Sequence, residues 1–205
     1  MTVLGGILAG GRGRRMEGID KPFAELGGRP LIAHVIDRLA PQVDGIILNA
    51  NSAPGRFDGF GLDVVADSRD GYRGPLAGVH ALMQAAESRG ASHVLVVPAD
   101  TPFLPRDLLA RLQAAAEDPS TVRVACSNGR RHPVAALWPA ALEGALGDHL
   151  ATAEDLSMAA YLRTVPVAEA EFAAGDESDP FFNVNDPADL ARAEQLLGGP
   201  ATAGG

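Results

Sequence analysis

Residues 8–21 read LAGGRGRRMEGIDK, four glycines interleaved with Arg12, Arg14 and Arg15 and closed by Lys21. Glycine lacks a Cβ, so several backbone N–H groups can converge on one anion. Arginine adds bidentate donors and lysine adds a point charge. Against these four cations the stretch carries Glu17 and Asp20, which leaves it locally +2 in a chain of net charge −9. The chemistry this suits is the cradling of phosphate. A solvated glycine-rich turn is the alternative, although solubility gives no reason for the local reversal of sign.

Two familiar phosphate loops fit poorly. Gly11 and Gly13 open a GxGxxG pattern, but Met16 stands where the third glycine belongs. The next apolar run ends in NAN, with no acidic residue to hold a ribose hydroxyl. Gly13 and Gly18 have the Walker A separation, but Ile19 occupies the lysine position.

Other polar residues close apolar runs. Asp100 follows HVLVVP and could hold a hard cation such as Mg²⁺, or cap the turn before Pro102. Asp67 ends LDVVAD, with the same two readings open. Asn49 and Asn51 can stabilise a turn or hydrogen-bond a ribose or base. His34 and His80 fall within helical patterns and read as packing residues, and Cys126 reads as a small core residue. RRHP, residues 130–133, is a second basic contact or a solvated turn. There is no Cys/His cluster of zinc spacing and no Gly-x-Ser-x-Gly elbow.

The elements that must position these residues alternate. Strands are expected at VLGGIL, GIILNAN, LDVVAD and HVLVVPAD. Helices are expected from Pro30 to Pro41, over PLAGVHALMQAAESRG, from Pro105 with Leu108, Leu109 and Leu112 inward, and from Asp186 to Gly198. TVRVACS and PVAALW read as strands joined by an NGRRH turn. Strands alternating with helices imply an α/β, Rossmann-like, doubly wound, mostly parallel sheet flanked by helices, with an antiparallel element in the C-terminal half. Ligands of such sheets bind beyond the carboxyl ends of the strands, where the loops singled out above lie. There is no internal repeat and no dividing linker, so residues 1–197 are expected to form one domain, with 198–205 a disordered tail.

Composition narrows the function. Lys plus Arg is 17 and Asp plus Glu is 26, a balance that disfavours non-specific binding to nucleic acid or anionic membranes. One cysteine permits no internal disulfide and suggests a reducing compartment. No apolar run reaches membrane-span length, and the N-terminus lacks a signal-like charged and apolar pair of regions. A cytoplasmic protein is expected.

The first loop resembles the LAGG-x-x-x-R-M-G-x-x-K signature of nucleotidyltransferases that build nucleotide-linked small molecules. With NAN (49–51), DSRDGYRGPLAG (67–78), PADTPF (98–103) and FNVNDPADL (182–190), the chain resembles the molybdenum cofactor guanylyltransferase family from about residue 4 to 197. Glu17 departs from the pattern, which has glycine after RM; Gly18 follows it directly.

The resemblance implies transfer of GMP from GTP to molybdopterin, usually with molybdenum bound, giving the guanine dinucleotide cofactor and pyrophosphate, with Mg²⁺ as cofactor. It implies that Leu8, Ala9 and Gly10 lie against the guanosine, that Gly11 also binds GTP, that Asn49 and Asp67 touch the nucleoside side, and that Lys21 and Arg15 face phosphate. Asp100 would bind the metal, and Asn183 and Asn185 would lie near the pterin. A molybdenum insertase and molybdoenzymes or their chaperones are the partners it implies. The rivals are a cytidylyl or sugar-phosphate enzyme of the same fold, and a non-catalytic nucleotide-binding relative. The chain has LAGG and GPLAG where cytidylyl relatives tend to have LAAG and lack GPLAG. A phosphate nucleophile is already ionised near neutral pH, so such a transfer needs no general base.

Overall fold

The computed structural model describes residues 1–9, 20–51, 54–68, 74–174 and 179–198. Its first strand, β1 (Val3–Leu8), is followed by a 3₁₀ turn at Lys21–Phe23, a two-residue ladder of β2 (Glu25–Leu26) with β3 (Arg29–Pro30), and helix α1 (Leu31–Leu39). Then come β4 (Gly45–Asn49), β5 (Asp63–Val65), α2 (Pro75–Ser88), β6 (His93–Pro98) and α3 (Leu108–Ala114). The C-terminal part adds β7 (Val122–Ser127), β8 (Arg130–Pro139), α4 (Glu143–Thr152), α5 (Met158–Leu162), β9 (Val167–Phe172) and α6 (Pro187–Gly198).

Seven strands form one sheet in the order β5-β4-β1-β6-β8-β7-β9. β1 pairs in parallel with β4 and β6, β4 with β5, and β7 with β9. β8 runs antiparallel to β6 and β7, so it alone is reversed. The expected mostly parallel α/β sheet with a C-terminal antiparallel element is what forms.

Helices cover both faces. On one, α1 and α3 contribute Ile32, Val35, Leu39, Leu108 and Leu112, packed against Val3, Ile7, Leu95 and Val97. On the other, α2, α4 and α5 contribute Leu76, Leu82, Met83, Leu146 and Tyr161, packed against Leu4, Ile47, Val94 and Trp138. The two adjacent glycines of β1 serve this double cover. A Cβ on Gly5 would lie 2.8 Å from Leu39 on α1, and one on Gly6 would lie 2.7 Å from Leu82 on α2. Side chains there would push a helix off each face, a change of the kind that costs about 1–3 kcal/mol in a packed core.

Two local expectations need correcting. The hairpin turn is shorter than NGRRH: β8 already begins at Arg130, opposite Ser127, and only Asn128 (φ 50°) and Gly129 (φ 69°) turn the chain. Two left-handed residues make the tight turn whose twist matches flanking strands, so the basic residues belong to the strand. The helix expected from Pro105 begins at Leu108, although Leu108, Leu109 and Leu112 are buried as expected. The last helix, α6, ends at Gly198 as expected. Cys126 is buried, and its thiol is pushed up to about 11, chiefly by desolvation and then by Glu169, as befits a core residue and not a nucleophile.

Candidate functional site

β4, β1 and β6 lie side by side and parallel, so their carboxyl ends open onto one rim. The ladder continues past the strands: Ala9 N donates to Asn49 O at 2.9 Å, and Ala99 N donates to Leu8 O at 3.0 Å. Leu8 and Ala9 are thus held centrally, with Asn49 on one side and Asp100 on the other. Gly10, Gly11 and Arg15 lie outside the described residues, as does the rest of 10–19.

On the β4 side a carboxamide–carboxylate network forms. Asn49 is 1% exposed, and its Nδ2 donates to Asp67 Oδ1 at 3.0 Å and to Val65 O at 3.3 Å. Asn51 Nδ2 donates to Asp67 Oδ2 at 2.7 Å and Asn51 Oδ1 accepts from Asp67 N at 2.7 Å. Both oxygens of Asp67 are therefore engaged. Asn49 Oδ1, by contrast, is a buried acceptor without a partner, and such an atom is costly unless a ligand satisfies it. Helix α2 presses on the same atom. A Cβ on Gly78 would sit 2.5 Å from Asn49 Oδ1 and 2.7 Å from Leu8 Cδ2. Glycine inside a helix normally costs stability relative to alanine, and here it is what admits the close approach. Ser68, next to Asp67, lies 2.6 Å from His80 Nδ1, and His80 Nε2 lies 2.8 Å from Glu143 Oε1 but off the line of a hydrogen bond. His80 is thus a buried tie between the Asp67 loop and α4.

On the β6 side the groups are charged. Asp100 Oδ2 lies 3.8 Å from Lys21 Nζ, and Lys21 Nζ donates to Asn185 Oδ1 at 2.8 Å. Asp100 Oδ1 is buried with no partner. Burial raises the Asp100 pKa, with Lys21 opposing. Asn183 and Asn185 arrive from the C-terminal segment, which is stitched on by Val184 N donating to Asp100 O (2.9 Å) and Thr101 Oγ1 donating to Asn183 Oδ1 (2.6 Å). A small core of Ala24, Leu26, Leu31, Val184 and Ala193 lies beneath Lys21 and Asn185.

Two anchors fix the lysine turn. Phe23 packs on Phe57 with ring centroids 5.0 Å apart, and Asp20 pairs with Arg56. The charge count over 8–21 set Asp20 against the loop's own cations; among the described residues it pairs with Arg56.

Beyond Asn185 a cavity of about 230 Å³ opens, lined by Arg130, His132, Phe181, Phe182, Asn183, Asn185 and Asp189. Of the two readings of RRHP, this geometry favours a wall of the site. Gly78 and Thr101, both absent from the expected set, lie inside the stretches GPLAG and PADTPF, and a glycine in a helix interior was the available signal.

The rim can bind a nucleotide against Leu8, Ala9 and Asn49, set anions beside Lys21, and hold a cation at Asp100. Among the described residues no group of three or more His, Cys, Asp or Glu side chains could hold a metal unaided. No helix among them is long and apolar enough to cross a membrane.

Comparison with known proteins gives a consistent result. The sequence profile of the MobA-like NTP transferase domain matches residues 5–167. A molybdenum cofactor guanylyltransferase of Rhodopseudomonas palustris (strain BisB5) is 48% identical over 193 residues, covering 93% of this chain and 91% of the relative. That of Rhizobium meliloti (strain 1021) is 44% identical over 197 residues, covering 93% and 90%. The crystal structure of molybdopterin-guanine dinucleotide biosynthesis protein A from Archaeoglobus fulgidus superposes with a TM-score of 0.73 at 22% identity, over 95% of this chain and 98% of that one, a likeness of fold. With a family profile that matches most of the chain and relatives matched almost throughout their length, the chain belongs to the molybdenum cofactor guanylyltransferase family of MobA-like nucleotidyltransferases.

Proposed function

We propose that the protein transfers GMP from GTP to the terminal phosphate of molybdopterin, with or without bound molybdenum, giving the guanine dinucleotide and pyrophosphate. The observation that carries this reading is the junction of Lys21, Asp100 and Asn185, which lies between a buried nucleoside side and an open cavity. Both substrates are polyanions, so their mutual repulsion must be cancelled before the acceptor phosphate can attack the α-phosphorus.

Leu8, Ala9 and Asn49 hold the nucleoside, and the unpartnered Asn49 Oδ1 accepts from a ribose hydroxyl or a base amine. Asp67 orients Asn49. Lys21 neutralises charge on the phosphates as it moves from the attacking to the leaving oxygen; Arg15 also faces phosphate, Gly10 lies with the nucleoside and Gly11 contributes to GTP binding. Asn183 and Asn185 face the acceptor. The orphaned Oδ1 of Asp100 fits a divalent cation, Mg²⁺ by its hard oxygen donors. One carboxylate suffices for Mg²⁺ when phosphates and water supply the remaining positions. When bound, the cation would screen phosphate charge at the α-phosphorus. The same reading puts the reaction in the cytoplasm, between a molybdenum insertase and molybdoenzymes or their chaperones.

Pyrophosphate release with molybdopterin and GTP, CTP or ATP tests the reading. Guanine offers an N1–H and an amine to acceptors on the rim, and a site built for such bonds rejects bases that lack them. GTP should be favoured at least about 100-fold in kcat/KM. Equal turnover with CTP would remove the guanylyl assignment and leave the fold untouched.

A further inference from the structure

The cavity beyond Asn185 carries groups that the transfer mechanism has not used. Several of its polar atoms are already engaged. Asn185 Oδ1 accepts from Lys21, and its Nδ2 donates to Asn183 O at 3.3 Å. Asn183 Oδ1 accepts from Thr101, and Asp189 Oδ2 accepts from Asn185 N at 2.8 Å. His132 also lines the cavity. Its Nε2 lies 2.7 Å from Ser127 Oγ, and its Nδ1 has no hydrogen-bond partner among the described residues.

The proton on this imidazole can be placed by counting donors. Ser127 is fully buried and has one hydroxyl hydrogen. Its Oγ donates to Asp179 Oδ1 at 2.9 Å, an oxygen that also accepts from Phe181 N at 2.9 Å. An ionised carboxylate only accepts, so the serine hydrogen is committed to Asp179. Ser127 Oγ is then left as an acceptor towards His132, and Nε2 must carry the ring proton. Desolvation, the largest influence, lowers the His132 pKa, Arg130 acting with it against Asp179 and Glu171, which favours the neutral ring. Phe181 stacks on the imidazole with centroids 4.5 Å apart and planes at 26°, which covers one ring face and leaves the edge available.

We propose that His132, held as the Nε2–H tautomer by the buried Ser127–Asp179 pair, is a specificity-determining residue for the acceptor, its Nδ1 accepting a hydrogen bond from an N–H of the acceptor's heterocycle. The proposal rests on the transfer reading above for the identity of that acceptor. A neutral acceptor atom suits this place. It selects a heterocycle by its N–H pattern without adding charge repulsion against a polyanion, while Arg130 on the same wall and Lys21 at the junction supply the counter-charge. Ser127 and Asp179 act through His132 and are positioning residues.

Two measurements test it. In the free protein, ¹⁵N NMR of the imidazole should show the proton on Nε2 and a bare Nδ1, and the Ser127→Ala variant should lose this preference. The opposite tautomer in the unsubstituted protein would overturn the proposal. Equilibrium binding of molybdopterin, read by pterin fluorescence without nucleotide, should weaken about tenfold in His132→Gln, the loss of one well-placed hydrogen bond. Glutamine can still reach Ser127 with its amide but has no atom in place of Nδ1. His132→Asn, which keeps a polar atom near the Nδ1 position, should restore part of the affinity. GTP affinity and thermal stability of His132→Gln should stay near those of the parent. Unchanged pterin affinity in His132→Gln, or pterin and GTP affinity falling together with stability, would overturn the role of His132. Failure of the unsubstituted protein to release pyrophosphate would instead count against the transfer reading.

Discussion

Asp67 and Asp100 follow the two outer strands of the same four parallel strands, β5 and β6, yet their surroundings are opposite. Asp67 has both oxygens occupied, by Asn49 and Asn51, and its own N–H is held by Asn51. Asp100 has one oxygen buried without a partner and the other 3.8 Å from a lysine that is hydrogen-bonded elsewhere. A carboxylate whose lone pairs are all engaged serves as a brace. One left partly unsatisfied and desolvated is held ready for a charge that arrives from outside. Residue type and placement after a strand are the same in both; the partners decide the role.

If this contrast is right, substitutions on the two sides should differ in kind as well as in size. Asp100→Ala should lower divalent-cation-dependent kcat by about 10³-fold or more, since it removes the cation's protein ligand from the reacting end. Near-normal turnover of that variant at any Mg²⁺ concentration would reduce Asp100 to a turn residue. Lys21→Ala should come next, at about 10²–10³ in single-turnover kcat with a smaller change in GTP Kd. A raised Kd with unchanged kcat would make Lys21 a uniform binding contact and would weaken the contrast.

The braced side should show smaller effects, confined to binding. Asp67→Asn replaces an acceptor of Asn49 and Asn51 with a group that also donates. It should raise the GTP KM about tenfold, the worth of one misplaced buried hydrogen bond, with little change in kcat. Asn51→Ala touches only the outer half of the brace and should cost less, by the same KM readout.

The smallest effect concerns pH and stability. Because the folded protein raises the Asp100 pKa, it holds that proton more tightly than the unfolded chain does. Stability is therefore lost as pH rises from the ordinary aspartate value through the raised one. Asp100→Asn removes that cost. Without metal at pH 7 the variant should melt higher, by about 2 °C for each kcal/mol relieved, and the gap should close as pH falls below the ordinary carboxylate range. Asp67→Asn should give no such gain, since it disturbs hydrogen bonds that both carboxylate oxygens accept. A higher melting temperature for Asp67→Asn than for Asp100→Asn would reverse the comparison.

Legibility in the sequence followed the same division. Strands β1, β4 and β6 are continuous apolar runs because helices bury both their faces, and such runs are conspicuous. β9 reads VAEAEF, with Glu169 and Glu171 alternating against small residues at the sheet edge, and without a continuous run it was not expected. α4 was not expected either; Gly144 and Gly147 interrupt its pattern, and a Cβ at Gly147 would lie 3.0 Å from His80 Nε2. The site residues were legible as strand-end polar groups. Their pairings were not, because the contact of Lys21 with Asn185 spans 164 positions and depends on how α6 docks.

That docking has a consequence for the order in which the protein is made. α6 seats Glu194 Oε1 on the Gly27 N–H at 2.7 Å, and its Ala193 joins Ala24, Leu26, Leu31 and Val184 in the small core beneath Lys21. All seven strands of the sheet are complete by Phe172, before any of these C-terminal contacts exist. A chain still emerging from the ribosome can therefore finish its main cores while Lys21 lacks its anchor at Asn185. Competence for transfer would then appear only once Asn185 and α6 have been made, which ties the chemistry of Lys21 to the arrival of a segment more than 160 positions later.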